Sequence, residues 1–280
     1  MTSPAASLSG SASTSTGADV LRQVTVIAAF VFMIIGCFVG VGLWGGTPIQ
    51  EAQGGSFQPS ASYLTPATSA FGIWTPIYLG LLGYTIWQAL PRQRESARQR
   101  AVGPLIAASM IFNGLWLVTV QFFSLSVTVA VVVLLLGTLA AAFVRTVRTR
   151  EPRGGVVDSI LIDGTTGLHL GWTTLATVAN IGAALTATLG GEVGGGVATA
   201  IGIAVLVVVG IIGVGIAWSS RWRVTPGISI AWGLVWLAVA RISGEPHSVG
   251  IGVAAVVIAA VVVLLPVAIA GLRLLRPQGD

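Results

Sequence analysis

The sequence predicts an all-α, polytopic membrane protein, a bundle of about eight transmembrane helices with the N- and C-termini both on the cytoplasmic side. Of its 280 residues 54% are hydrophobic and 8% charged, and the mean hydropathy of +0.91 lies outside the range of soluble domains. Apolar stretches of about 20 residues recur along the chain, the length that crosses a hydrocarbon core of about 30 Å. They are continuous rather than alternating, so they read as helices, which pair every backbone amide internally, and not as barrel strands.

Residues 1–20, rich in Ser, Thr, Ala and Gly, are expected to be a disordered tail. The spans that follow are Val24–Trp44, Thr68–Leu90, Pro104–Phe123, Val127–Val147, Gly167–Leu189, Val197–Ala217, Pro226–Arg241 and Gly250–Leu272. The first follows Arg22 directly, is longer than a signal-peptide core and lacks an A-x-A site, so it reads as an uncleaved span. The long connection 45–67 is either a lid over the outer mouth of the bundle or a plain connector.

Basic residues test the layout independently, because short cytoplasmic loops collect them. All fourteen are Arg. Arg22, Arg92, Arg94, Arg98, Arg100, Arg145, Arg148, Arg150, Arg153, Arg221, Arg223, Arg273 and Arg276 then fall inside, and only Arg241 falls outside, with Glu51, Glu192 and Glu245. Arg241 is expected to snorkel to the interface, the alternatives being a pair with Glu245 four residues on or an anion. The net charge of +5 therefore reports orientation, and with no soluble recognition module it gives no reason to invoke nucleic acid. The absence of Lys excludes Schiff-base chemistry. One Cys and two His give neither an internal disulfide nor a metal-ligand cluster. The chain has no phosphate loop or dinucleotide fingerprint.

Small residues mark helix contacts. Gly36 and Gly40 form G-x-x-x-G in the first span, and Gly202, Gly210, Gly213 and Gly215 thin the sixth; the same pattern serves internal packing or a homodimer face. Of nine Trp, Trp44, Trp218 and Trp222 stand at span ends as interface anchors. Trp74, Trp87, Trp116, Trp172, Trp232 and Trp236 lie within spans, where an indole N–H seeks a partner.

Phe71, Trp74 and Tyr78 form one stripe on the second span, which Pro76 is expected to bend. Asn113 and Trp116, three apart, share a face of the third, and an amide in hydrocarbon turns inward. On the fifth span His169, Thr173, Ala176 and Asn180 superpose within about 40° on a helix of 3.6 residues per turn, with Trp172 on the flank. Such a stripe lines a cavity or hydrogen-bonds a neighbouring helix. Asp158 and Asp163 precede this span, where a helix N-terminus favours a carboxylate, and Asp163 reads as interfacial.

Three of these segments resemble a known family. Phe71-Gly-Ile-Trp74-Thr-Pro-Ile-Tyr78 is similar to the F-x-x-W-x-x-L-Y signature of the second helix of the TspO/MBR family, the tryptophan-rich sensory or translocator proteins. Asn113-Gly-Leu-Trp116 with Phe122-Phe123 resembles its third-helix pattern, with two extra residues before the phenylalanines. Trp172-Thr-Thr-Leu175-Ala176-Thr177-Val-Ala-Asn180 resembles its fifth-helix W-x-x-F-A-T-x-L-N. The resemblance covers about residues 24–190 and implies a five-helix bundle over 21–190, with 191–280 as three additional helices. His169-Leu-Gly replaces the Pro-Tyr usual before the fifth-helix Trp.

The resemblance implies a sensor or translocator that binds a tetrapyrrole, porphyrin or haem, or a similar flat hydrophobic molecule, under the loop after the first helix. Phe71, Trp74, Tyr78, Asn113, Trp116, His169, Trp172, Thr173, Ala176 and Asn180 are the expected site. The alternative is a secondary transporter of a small metabolite. No nucleophile, base and orienting group converge, so an enzyme is not expected, although the resemblance leaves light-dependent porphyrin breakdown open. The exclusive use of Arg and abundant Ala, Val and Gly point to a bacterial plasma membrane, with lipid and a hydrophobic small molecule as partners.

Overall fold

The computed structural model describes residues 15–150, 155–191 and 194–275. Arg153, Glu192, Arg276 and most of the expected tail lie outside the described residues. The described chain is helical without a strand, and its eight long helices are α1 (Gly17–Gly40), α2 (Trp74–Ala89), α3 (Ala97–Phe122), α4 (Leu125–Arg148), α5 (Thr165–Leu189), α6 (Gly195–Ser219), α7 (Thr225–Ser243) and α8 (Val249–Leu275). Six are long and apolar enough to cross a membrane. The other two differ for separate reasons. α2 has sixteen residues, extended by a 3-10 turn at Thr68–Ile73, and α5 carries the polar stripe.

Boundaries moved where local chemistry overrides hydropathy. α1 starts seven residues before the predicted Val24, because the Asp19 carboxylate accepts from the Thr16 N–H and hydroxyl, both at 3.0 Å, and closes the first turn. It ends at Gly40, after which Gly42 and Trp44 take left-handed φ values of 90 and 54°, leaving Trp44 exposed beyond the helix. Pro76, expected to bend the second span, stands in the first turn of α2, where its missing N–H costs nothing. The fifth span is preceded by a short helix, Val156–Asp158, and a π turn, Ser159–Gly164, that runs into α5.

The tightest helix pairs are α1 with α3, α7 with α8, α3 with α4, α4 with α5, α5 with α7, and α6 with α8. α2 lies across α1, the π turn and α5. Glycines set several of these distances. A Cβ at Gly36 would sit 3.0 Å from the Gly114 carbonyl oxygen, and one at Gly40 would sit 2.8 Å from a Leu117 methyl. In α6, Gly202, Gly210 and Gly213 face Ile251, Ile258 and Val262 of α8. Both glycine-rich faces are therefore occupied within the chain, and Gly215, with open space above it, is the member left over. α7 reaches the N-terminal helices directly: Gly233 lies against Leu175 and Trp172, and Trp232 Nε1 donates to the Ala70 carbonyl at 2.9 Å.

One end of the bundle gathers the arginines. Arg22 donates to the carbonyls of Gln93 (3.2 Å) and Arg94 (3.1 Å), and Arg100 grips Asp19 with two bonds of 2.7 Å. Asp163 was expected at a helix terminus facing the interface. It is instead buried inside a continuous helical segment and accepts from Arg98 at 2.7 Å, from Arg150 and from Arg223. Arg98 also reaches Asp158.

Substitution Gly36→Leu should force α1 and α3 apart and lower stability by about 1–3 kcal/mol, whereas Gly215→Leu should leave the thermal midpoint in detergent unchanged. Equal effects of the two would show that the α1–α3 seam does not depend on this glycine.

Candidate ligand cleft

The stripes read from the sequence meet around Trp74. Its ring lies 5.2 Å from Tyr78, 6.3 Å from Trp116, 5.7 Å from His169 and 6.0 Å from Trp172, with Phe71 5.9 Å from Trp172. The His169 and Trp172 contacts are edge-to-face, the arrangement that the ring quadrupole favours. Trp116 and Trp172 are buried, and Trp74 is partly exposed. Two hydrogen bonds tie the helices beneath the rings: the Tyr78 hydroxyl donates to Asn113 Oδ1 at 3.0 Å, and Trp116 Nε1 donates to Asn180 Oδ1 at 3.1 Å.

These rings occupy most of the space among α2, α3 and α5, so the shared hollow expected there is small. A cavity of about 30 Å³ remains, lined by Phe57, Phe71, Trp116, Trp172, Ala176 and Asn180 among others. The larger space lies on the opposite side of Trp74, where α1, α2 and the 45–67 segment border a cleft of about 360 Å³. Phe71, Trp74 and Tyr78 form its aromatic wall, and Cys37, Gly40, Ile49, Gln50 and Leu117 complete it. Val41 and Thr75, both exposed, also line it. Asn113, His169 and Thr173 line neither space.

The sequence reading missed the α1 contribution. Cys37 and Gly40 belong to the same small-residue stretch that brings α1 close to α3, and that spacing was the available signal. Behind Trp74, several buried polar atoms have no hydrogen-bond partner among the described residues: both ring nitrogens of His169, Trp172 Nε1, Thr173 Oγ1 and Asn113 Nδ2. Leaving such groups unpaired costs about 1–3 kcal/mol each.

The 45–67 segment is a roof and not a loose connector. Ile49, Ala52 and Phe57 are buried with Trp116 and Leu117. Gln53 Nε2 donates to the carbonyls of Val120 (2.8 Å) and Phe123 (2.7 Å) at the end of α3. Thr47 exchanges two hydrogen bonds with the Gln121 side chain. Arg241, expected to snorkel, is fully buried and donates to the backbone carbonyls of Pro59 (2.5 Å), Pro246 (2.9 Å) and Glu245 (3.3 Å). A buried cation ringed by carbonyl dipoles is held in place by them, which is why it does not reach for water.

This architecture defines a multi-pass helical membrane protein with an aromatic cleft under a fastened connecting segment. The model of the TSPO-like protein family matches residues 23–269, and the chain belongs to that family. The match runs through α6, α7 and most of α8, well past the three motif segments. A search of curated proteins and a search of solved structures each found no match.

Arg241→Met should release the roof: the 45–67 segment should be cut faster by a protease of broad specificity, with helical circular dichroism preserved. An unchanged cleavage rate would show that the Pro59 contact does not hold the segment.

Proposed function

We propose that this TSPO-like chain is a membrane sensor or translocator that binds a tetrapyrrole, or a similarly flat hydrophobic molecule, in the cleft walled by Phe71, Trp74 and Tyr78. The observation that carries this reading is the juxtaposition of three aromatic side chains with a partly open space within the size range of ligand sites, about 300–1,000 Å³. A flat ring system slides between α1 and α2 from the lipid side, stacks on the wall and meets the roof at Pro48 and Ile49. Trp116, His169, Trp172, Thr173, Ala176, Asn113 and Asn180 form the layer behind the wall that fixes the orientation of Trp74. In this reading Trp74 is the binding residue, and those behind it are positioning residues.

The same proposal includes eight membrane crossings with the arginine-rich end in the cytoplasm of a plasma membrane. Alternation of the helices supports it, since Arg22, Arg94, Arg98, Arg100, Arg150 and Arg223 join contacts at one end while Arg241 and the roof lie at the other. α2 with its 3-10 turn provides about 36 Å of length, enough for a crossing. The carrier alternative would need an ionisable group that exchanges protons, and Asp163, its best candidate, is held by three guanidinium groups.

Titration of the purified full chain with protoporphyrin IX should quench tryptophan emission. Trp74→Ala should weaken binding by about three- to tenfold, the equivalent of losing one aromatic stacking contact, and Trp172→Ala should have a smaller effect. Unaltered affinity in a folded Trp74→Ala protein rejects the cleft as the site.

A further inference from the structure

A second cavity, about 380 Å³, lies at the arginine-rich end, far along the bundle from the roof. Arg150, Ser159, Trp222, Arg223, Val224 and Ala270 border it, with Asp163 in its floor. Four elements deliver these groups: the residues just past the end of α4, the π turn, the short link between α6 and α7, and α8 through Ala270. In that link Arg221 and Trp222 both adopt left-handed backbone, with φ of 63 and 69°, a conformation that costs an L-residue free energy and persists where surrounding contacts enforce it. The link turns Trp222 and Arg223 into the cavity.

Charge is unbalanced here. Arg98, Arg150 and Arg223 face two carboxylates, Asp158 and Asp163, so three positive groups meet two negative ones. Asp163 is saturated by all three guanidiniums, so its charge is neutralised toward the cavity. Arg223 donates to it through Nη1, and Arg150 through Nη1, with Nη2 on the Ser159 hydroxyl at 2.6 Å. The remaining N–H groups of both guanidiniums, on side chains 19% and 35% exposed, have an open cavity before them. A further cation is close, since Arg273 lies 6.0 Å over the Trp222 ring.

The surroundings are those of a membrane interface. Trp218 and Trp222 stack at 6.3 Å, with Trp218 72% exposed, and exposed Leu272 stands on the adjoining stretch of α8. Aromatic rings of this kind settle at headgroup depth.

We propose that this cavity holds the phosphate of an anionic phospholipid, with Arg150 and Arg223 on the phosphate oxygens, the Ser159 hydroxyl beside them and the Trp218–Trp222 pair against the glycerol and upper acyl region. Guanidinium groups suit a phosphate because their planar donors match its oxygens, and basic pockets between membrane helices bind such headgroups. Free phosphate shares this chemistry, and the stacked indoles beside an apolar helix end favour the lipid.

The test uses the full chain in mild detergent, with bound phosphatidylglycerol counted by native mass spectrometry and the thermal midpoint followed in parallel. Phosphatidylglycerol should be retained and should raise the midpoint, and phosphatidylcholine should do neither. Arg150→Gln and Arg223→Gln should each weaken retention about tenfold, the loss of one charge-assisted contact, while Arg92→Gln, an exposed residue outside the cavity, should have no effect. If Arg223→Gln does not fold, the half-exposed Arg150 carries the comparison. Equal retention of phosphatidylcholine, undiminished phosphatidylglycerol binding in Arg150→Gln, or a midpoint rise from inorganic phosphate matching that from lipid overturns the proposal.

Discussion

A helix bearing His169, Thr173, Thr174, Thr177 and Asn180 can stand in hydrocarbon only with those groups turned toward protein. All five are buried in this chain, and the arrangement of the other helices follows from that requirement. α4 covers one side of α5, α7 covers another, and α2 with its aromatic edge closes a third. Thr174 and Thr177 satisfy themselves locally by donating to the carbonyls four residues back, at 2.9 and 2.8 Å. Asn180 Nδ2 likewise donates to the Ala176 carbonyl at 2.8 Å, but its Oδ1 needs a donor from outside the helix, and the His169 ring makes no local bond among the described residues. Asn180 therefore recruits the Trp116 indole, and His169 meets the edge of Trp74.

The aromatic wall is thus a by-product of sheltering a polar helix. Trp74 has one neighbourhood of packed rings and polar atoms, and another of open space. A side chain at such a boundary is held firmly from behind while its outer face stays available, and that combination of rigidity and access is what a preorganised binding surface requires.

Much of this was legible in the sequence. Continuous hydropathy located all eight long helices, and the 3.6-residue period put Phe71, Trp74 and Tyr78, then His169, Thr173 and Asn180, on common faces that the structure does turn inward. The sequence was silent where geometry departs from a regular helix. Asp158 and Asp163 are five residues apart, which on an α-helix separates them by about 140°; the π turn between them, with its i to i+5 repeat, lets both reach Arg98. Hydropathy carries no mark of such a turn. Arg241 misled for a related reason: an Arg near a span end normally finds water, and only the fold brings Pro59, 182 residues away in sequence, within reach. The position of the open space was hidden too, since it depends on how completely the rings fill the bundle.

The roof is fastened at several points that belong to different parts of the chain. Gln53 ties it to α3, Ser62 and Leu64 rest against Gly182 of α5, Arg241 of α7 holds Pro59, and the Ala67 amide bonds to the Trp236 carbonyl at 3.1 Å. Lifting the segment by more than an ångström or so separates Arg241 from its carbonyl, given how steeply such contacts weaken with distance. Any displacement of this segment is therefore mechanically linked to α7, and through α7 to α8, two helices that contribute no wall to the cleft.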